Sequence, residues 1–260
     1  MVGGRPVEEG ATVEQPALAE MLSTIRVRGG GDLYFGDSAR DFVLRAQNAG
    51  GLMTVDYLKQ FLPTWKRSNR TAFGDLSFFT TAEGPGGGAL SAAMWAMLTD
   101  QQRYAQTPLS MRAHLIAEAA SRALTERAGG GEASAFRAAA LMTDYDPTKH
   151  RATDASAVPD LAPWIGAGRD GTTGFVTLDG TGSAVACVLT MNAPFGDGKS
   201  DKDLGIFFAP AVQAGVEGWL RSGTDFIAPV MIANGVTGEF VLGLTATGGP
   251  AAPIAAASTA

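Results

Sequence analysis

Apolar and polar positions follow two different rhythms along this chain, with a helical period in the first half and strand-like alternation after residue 172. Pro16 precedes Ala17-Leu18-Ala19-Glu20-Met21-Leu22, whose apolar spacing predicts an amphipathic helix that stops at Gly29-Gly30-Gly31. A second helix is expected from Ser38 to Gln47, ending at Gly50-Gly51. Thr54 is placed to cap a third through Phe61, with Asp56 in the first turn where the helix dipole favours negative charge. Alternation around Leu76-Ser77-Phe78-Phe79-Thr80 predicts a strand pair between Trp65 and Thr81. Gly84-Pro85-Gly86-Gly87-Gly88 breaks it, and helix resumes from Ala89 to Leu98. Residues 109–127 carry a long helix with Met111, Leu115, Ala119 and Ala123 on one face, leaving Arg112, Glu118, Arg122 and Glu126 to solvent.

The periodicity fails between Thr143 and Gly171, where Asp144, Asp146, Pro147, Asp154, Pro159, Pro163 and Gly166 make a long connection. Such a segment in a compact domain is a functional loop or plain surface chain. Beyond it, Phe175–Leu178 and Ala184–Thr190 flank the turn-rich Asp179-Gly180-Thr181-Gly182 and predict a hairpin. Further strands are expected at Gly205–Ala209, Ala228–Ile232 and Glu239–Leu244. Periodicity alone gives α plus β.

With 45% hydrophobic and 18% charged residues over 260 positions, the chain can bury a sizeable core. Its 20 basic and 26 acidic residues leave a net charge of −6 with no Lys/Arg cluster, which argues against nucleic acid as a partner. No stretch reaches the roughly 18 to 20 apolar residues that span a bilayer, and the N-terminus as given lacks an apolar export core. Cys187 has no second cysteine to pair with and lies between Ala186 and Val188 as a small apolar strand residue. His114, on the long helix, and His150, in a polar stretch, support neither a Ser-His-Asp triad nor a His-rich zinc site. The glycines before Ala89 lack the Lys-Ser/Thr of a P-loop and serve better as a tight turn entering a helix. No metal or organic cofactor is required by the chemistry considered next.

Thr172 follows Gly171 at the junction between the long connection and the first β segment. A threonine freed at its own N-terminus carries an α-amine that can take the proton from its hydroxyl. That amine has a pKa of about 7.7 to 8, so it is partly unprotonated near neutral pH. A Thr-Thr pair entering Phe175-Val176-Thr177-Leu178 is equally ordinary strand chemistry.

Four blocks in order decide between these. The run from Thr172 to Gly198 resembles, without a gap, the start of the small subunit of γ-glutamyltranspeptidases: Thr-Thr/Ala-His-x-Ser, a hairpin ending Asp-x-x-Gly-x-Ala-Val, Thr-x-Asn, then Phe-Gly-x-Gly. His114-Leu115-Ile116-Ala117-Glu118-Ala119 through Arg127 resembles the His-Leu-Leu-Ala-Glu-Ala helix of the family's large subunit. Leu33-Tyr34-Phe35-Gly36-Asp37-Ser38-Ala39 and Gly50-Gly51-Leu52-Met53-Thr54-Val55-Asp56-Tyr57-Leu58 resemble two elements upstream of it.

The resemblance implies an α+β, four-layer αββα N-terminal-nucleophile hydrolase fold, here incomplete. It divides the chain into a large-subunit-like portion 1–142, a processing-linker-like segment 143–171 and a small-subunit-like β-rich portion 172–260, forming one structural domain when processed. It also implies self-cleavage at Gly171-Thr172, Thr172 as nucleophile toward a γ-glutamyl amide such as glutathione, and an acyl-enzyme passed to water or an amino acid. Thr190 matches the second threonine that holds the nucleophile's oxygen. Asn192 matches the residue that contacts the glutamyl end, and Gly248-Gly249 matches the pair whose N–H groups stabilise the oxyanion. In the bland alternative Thr190 and Asn192 merely end a strand and Gly248-Gly249 opens a flexible Ala/Pro-rich tail.

The departures carry information too. Gly174 stands where the family has histidine and Val176 where it has serine. The serines expected before Pro229 are replaced around Asp225-Phe226, and Ala209-Pro210-Ala211-Val212-Gln213 offers no acid for an α-amino group. An acylase with another acyl group is therefore a second expectation. Relatives begin earlier and continue further, so a fragment needing a complementing chain to supply sheet strands, or an inactive, unprocessed one, is a third. The family is usually periplasmic or extracellular, whereas the N-terminus as given predicts no export, so the two disagree about compartment.

Overall fold

The structure is a computed structural model that describes residues 7–81, 86–128, 139–145, 171–209 and 226–260. The chain forms two compact units, one from residues 1–64 with 195–209 and the other from residues 65–194 with 210–260.

The second unit contains the larger sheet. Strands β1 (Asn69–Phe73) and β2 (Leu76–Thr80) form a hairpin through Gly74, whose φ of 54° suits glycine. β2 pairs antiparallel with β7 (Val230–Asn234), and β7 with β8 (Phe240–Leu244), giving the order β1-β2-β7-β8. Phe78 lies opposite Ile232, so the buried face of this sheet is drawn from strands far apart in sequence.

Helix α5 (Gly87–Thr99) is apolar on every side because it is covered on every side. Trp95, Ala92 and the sheet residues Phe78, Val230 and Ile232 form one cluster. Leu90, Met94 and Met97 face Leu115, Ala119 and Leu124 of α7 (Leu109–Ala128) in another, the short α6 (Arg103–Gln106) lying between α5 and α7 in sequence. Phe78 and Trp95 stack with ring centroids 4.9 Å apart. Burial of each large side chain here contributes about 1.5–3 kcal/mol. The last helix, α8 (Ala251–Thr259), packs its alanines on α5, and the buried Ser91 Oγ donates to the carbonyl of Pro253 at 3.0 Å. Gly87 and Gly88 are needed for close approach: a Cβ would come 2.7 Å from the carbonyl oxygen of Phe226 at the first and 2.4 Å from Thr81 Oγ1 at the second.

One expectation for α7, a solvent-facing Glu118 and Arg122, does not hold. Glu118 is 5% exposed and its partner Arg122 is largely covered, because the segment 139–145 folds over that helix face. Arg122 donates to Glu118 Oε2 at 3.1 Å, to Asp144 Oδ1 at 2.5 Å and to the Leu141 carbonyl. Burial alone would depress the guanidinium's pKa, but these carboxylates outweigh it and raise it. Gly248-Gly249 opens no loose tail; it turns the chain, at φ of 119° and 57°, into α8.

A second sheet in this unit is the hairpin β3 (Thr172–Leu178) and β4 (Ala184–Thr190), which lies against β8. Glycines make that approach possible. A Cβ on Gly243 would fall 2.6 Å from Val176 Cγ1, and one on Gly174 would fall 2.6 Å from Thr245 Cβ. The hairpin turn is held by Asp179 Oδ1, which accepts from Thr181 Oγ1, Thr181 N and Ser183 N at 2.7–3.0 Å. The Thr181 hydroxyl, then these amides, keep the Asp179 carboxyl below its usual pKa.

The first unit is built on α1 (Pro16–Arg28), α2 (Asp32–Phe35), α3 (Asp37–Asn48), α4 (Val55–Lys59) and the short pair β5 (Ser200–Asp201) and β6 (Ile206–Phe207). Thr54 caps α4, its Oγ1 accepting from Tyr57 N at 3.1 Å, and that helix ends at Lys59 rather than Phe61. Arg45 joins α3 to the β5 loop through Asp41, Asp201 and Asp203 at 3.0, 3.2 and 2.8 Å. Among the described residues no helix is long and apolar enough to cross a membrane.

Candidate active site

The β3–β4 register sets Thr172, the first residue of β3, opposite Thr190, the last of β4. β-branched residues suit both strand ends. Thr172 Oγ1 donates to Thr190 Oγ1 at 3.0 Å. Thr190 Oγ1 also accepts from the backbone N–H of Asn192 at 3.0 Å, so both of its lone pairs are engaged and the hydroxyl is fixed from two sides.

After Thr190 the chain turns sharply. Asn192 takes a left-handed φ of 63°, a conformation asparagine tolerates better than most side chains. The turn brings the chain back over Gly171. The backbone N–H of Met191 donates to the Gly171 carbonyl at 2.7 Å, and a Cβ on residue 171 would fall 2.0 Å from the Ala193 carbonyl oxygen. Only glycine fits before Thr172 in this arrangement.

Gly171, Thr172, Thr190 and Asn192 come together at the open end of one hairpin. Gly248 and Gly249 follow β8, three and four residues beyond Thr245, which packs on Gly174. His114 lies on α7, its Nδ1 3.1 Å from the Tyr145 hydroxyl with the two rings stacked. The Tyr145 hydroxyl is raised above its usual pKa, first by burial and then by the Glu118 charge. His150, Asp225, residues 210–213 and residues 146–170 of the long connection lie outside the described residues.

Three groups around this hairpin carry no signature in the sequence: the Met191 N–H, the Ala193 carbonyl and Thr245. Two of these act through backbone atoms that any residue supplies, and the third enters through a contact between two sheets. The alternation of β3 could have hinted at the last, since Thr172, Gly174 and Val176 share the less exposed face.

Chemically, the cluster presents a hydroxyl held in place, a peptide carbonyl beside it that accepts a short hydrogen bond, and a glycine with no tolerance for a side chain. A positioned hydroxyl and a polarised carbonyl are groups that an acyl transfer can use.

Residues 1–219 match the gamma-glutamyltranspeptidase family. A glutathione hydrolase proenzyme of Pseudomonas aeruginosa is 27% identical over 250 residues, an alignment covering 90% of this chain and 42% of that protein. The crystal structure of a cephalosporin acylase from Bacillus halodurans superposes with a TM-score of 0.68 at 16% identity, covering 98% of this chain and 48% of that one. At that identity the likeness concerns the fold, the α+β architecture of N-terminal-nucleophile hydrolases. The chain thus spans less than half the length of these relatives.

Proposed function

The chain belongs to the gamma-glutamyltranspeptidase family, and on that premise we propose that it is the catalytic part of an N-terminal-nucleophile hydrolase or transferase that cleaves γ-glutamyl amides of the glutathione type. Thr172 is its nucleophile, freed by self-cleavage after Gly171. The observation that carries this reading is the 3.0 Å hydrogen bond from Thr172 Oγ1 to Thr190 Oγ1 at the entry of β3. In the processed form the Thr172 amine takes up the hydroxyl proton as the oxygen attacks a substrate carbonyl. An acyl-enzyme forms, the leaving amine departs with a proton, and water or an amino acid then accepts the acyl group. Thr190 orients the nucleophile, Asn192 holds the acyl donor, and the N–H groups of Gly248-Gly249 stabilise the oxyanion. None of these steps calls for a metal or an organic cofactor.

An acylase acting on a different acyl group is the second reading, favoured by Gly174. Where the family motif has histidine, this position is filled by the approach of Thr245, so no imidazole adjoins the nucleophile from β3. Since the chain spans 42% of the proenzyme it matches, a complementing polypeptide that adds to the outer strands β1 and β8 belongs to this proposal.

Incubation with a chromogenic γ-glutamyl anilide and with unrelated acyl anilides separates the two readings, and Thr172→Ala must lose all turnover. Turnover that survives Thr172→Ala would refute the assignment.

A further inference from the structure

We infer that the backbone N–H of Met191 is the oxyanion donor of the self-cleavage step, acting on the carbonyl of Gly171, the very group that Thr172 attacks. This rests on the self-cleavage assigned above and adds to it the electrophilic half of the reaction.

The Met191 N to Gly171 O distance is 2.7 Å, at the short end for an amide hydrogen bond. It comes from the final residues of the hairpin: Thr172 pairs with Thr190, and Gly171 with Met191 lies one step beyond. Beyond Met191 the ladder stops, because Asn192 turns to φ 63° and spends its own N–H on Thr190 Oγ1. One turn thus fixes both sides of the reaction. Thr190 holds the attacking oxygen, and the residue after it holds the oxygen that becomes negative.

The step balances without an outside reagent until water enters. Thr172 Oγ bonds to the Gly171 carbonyl carbon, and the carbonyl electron pair moves to Gly171 O, where the Met191 N–H meets the developing charge. The intermediate collapses with rupture of the Gly171–Thr172 C–N bond, and the hydroxyl proton ends on the Thr172 nitrogen, carried directly or through a solvent water. The product is an ester between Gly171 and Thr172 Oγ with a free Thr172 amine. Water hydrolyses this ester to the Gly171 carboxylate and the Thr172 hydroxyl. A donor already aimed at the carbonyl needs no reorganisation as charge develops, which is where such groups act most strongly.

The crowding at Gly171 supports the same geometry. A Cβ there would meet the Ala193 carbonyl carbon at 2.3 Å and its oxygen at 2.0 Å, so the turn that presents the Met191 donor passes this close to the scissile residue only because that residue is glycine.

The test replaces residue 191 of the full chain by the α-hydroxy acid analogue of methionine, which exchanges the N–H for an ester oxygen and keeps the side chain. Cleavage is followed by intact mass and folding by circular dichroism. The expected result is a folded chain that cleaves on the order of 10²-fold more slowly than wild type. A folded ester chain that cleaves at the wild-type rate overturns the inference. A wild-type chain that never cleaves overturns the underlying self-cleavage reading instead, so the two failures are distinct. Should the ester chain not fold, the decision passes to Thr172→Ala carrying a ¹³C=¹⁸O label at Gly171. An isotope-shifted amide band below that of a solvated glycine carbonyl supports the donor, and a band at the solvated position overturns it.

Discussion

Thr172 and Thr190 face each other across the open end of a hairpin, with the Thr172 hydroxyl donating to that of Thr190 at 3.0 Å. The β3–β4 register alone accounts for this meeting. In a strand pair a shift of one residue would turn one of the two hydroxyls to the opposite face. The turn of Asp179 to Ser183 fixes that register from the other end, seven residues away along β3.

Replacing Thr190 by valine keeps its shape and removes its oxygen. Self-cleavage of Thr190→Val is expected to slow about 5- to 10-fold, the worth of one neutral hydrogen bond, while Thr190→Ser stays near wild type. Time courses of intact mass check both variants, and equal rates for valine and serine would remove the orienting role of the hydroxyl.

Gly171→Ala forces a Cβ into the Ala193 carbonyl, 2.0 Å away. The backbone must shift, at a cost of about 1–3 kcal/mol in stability. Because a displacement of about 1 Å at a reacting group can cost ~10²-fold, cleavage should fall on that order. Denaturant melts and cleavage rates of the same preparation measure the two effects together.

Gly174 and Thr245 are a packing pair. Gly174→Ala is expected to destabilise the chain by about 1–3 kcal/mol, and Thr245→Gly in the same chain should restore part of the loss. A double-mutant cycle reads this coupling directly. Purely additive effects would mean that the two sheets do not meet at these residues.

In the first unit, Asp201 accepts from Leu204 N and Asp203 N, each at 2.9 Å, and from Arg45. Burial pushes its carboxyl up, but these donors prevail and hold it below its ordinary value. A carboxylate whose folded pKa is depressed stabilises the fold above its unfolded pKa of about 3.9 and loses that contribution as pH falls toward the lower folded value. Thermal melts should therefore drop below about pH 4. In Asp201→Asn the melting temperature at neutral pH should be lower and that part of the acid dependence absent. The Arg45 guanidinium, raised first by Asp203 and then by Asp41, stays charged throughout.

Much of this was legible in the sequence because local chemistry wrote it there. Thr54 caps α4, Pro16 opens α1, and alternation gives β4 from Ala184 to Thr190 and the end of β3 at Leu178, although β3 starts at Thr172 rather than Phe175. The threonine pair was legible through the family resemblance, because strand chemistry alone reads both residues as ordinary strand ends. Other features depend on contacts between distant segments. Glu118 and Arg122 follow the spacing of a solvated helix face, yet residues 139–145 cover them. Asp32–Phe35 is a single turn, too short to set up a period. The sheet order β1-β2-β7-β8 joins strands about 150 residues apart, a pairing no local pattern encodes. The Met191 donor was invisible because every residue except proline has such an N–H.

The most direct measurement is the intact mass of the purified, incubated chain, with sequencing of any new N-terminus. The account predicts two pieces that meet between Gly171 and Thr172, and a single intact piece for Thr172→Ala. A wild-type chain that stays whole, or one that breaks at the same bond without its threonine, would contradict it.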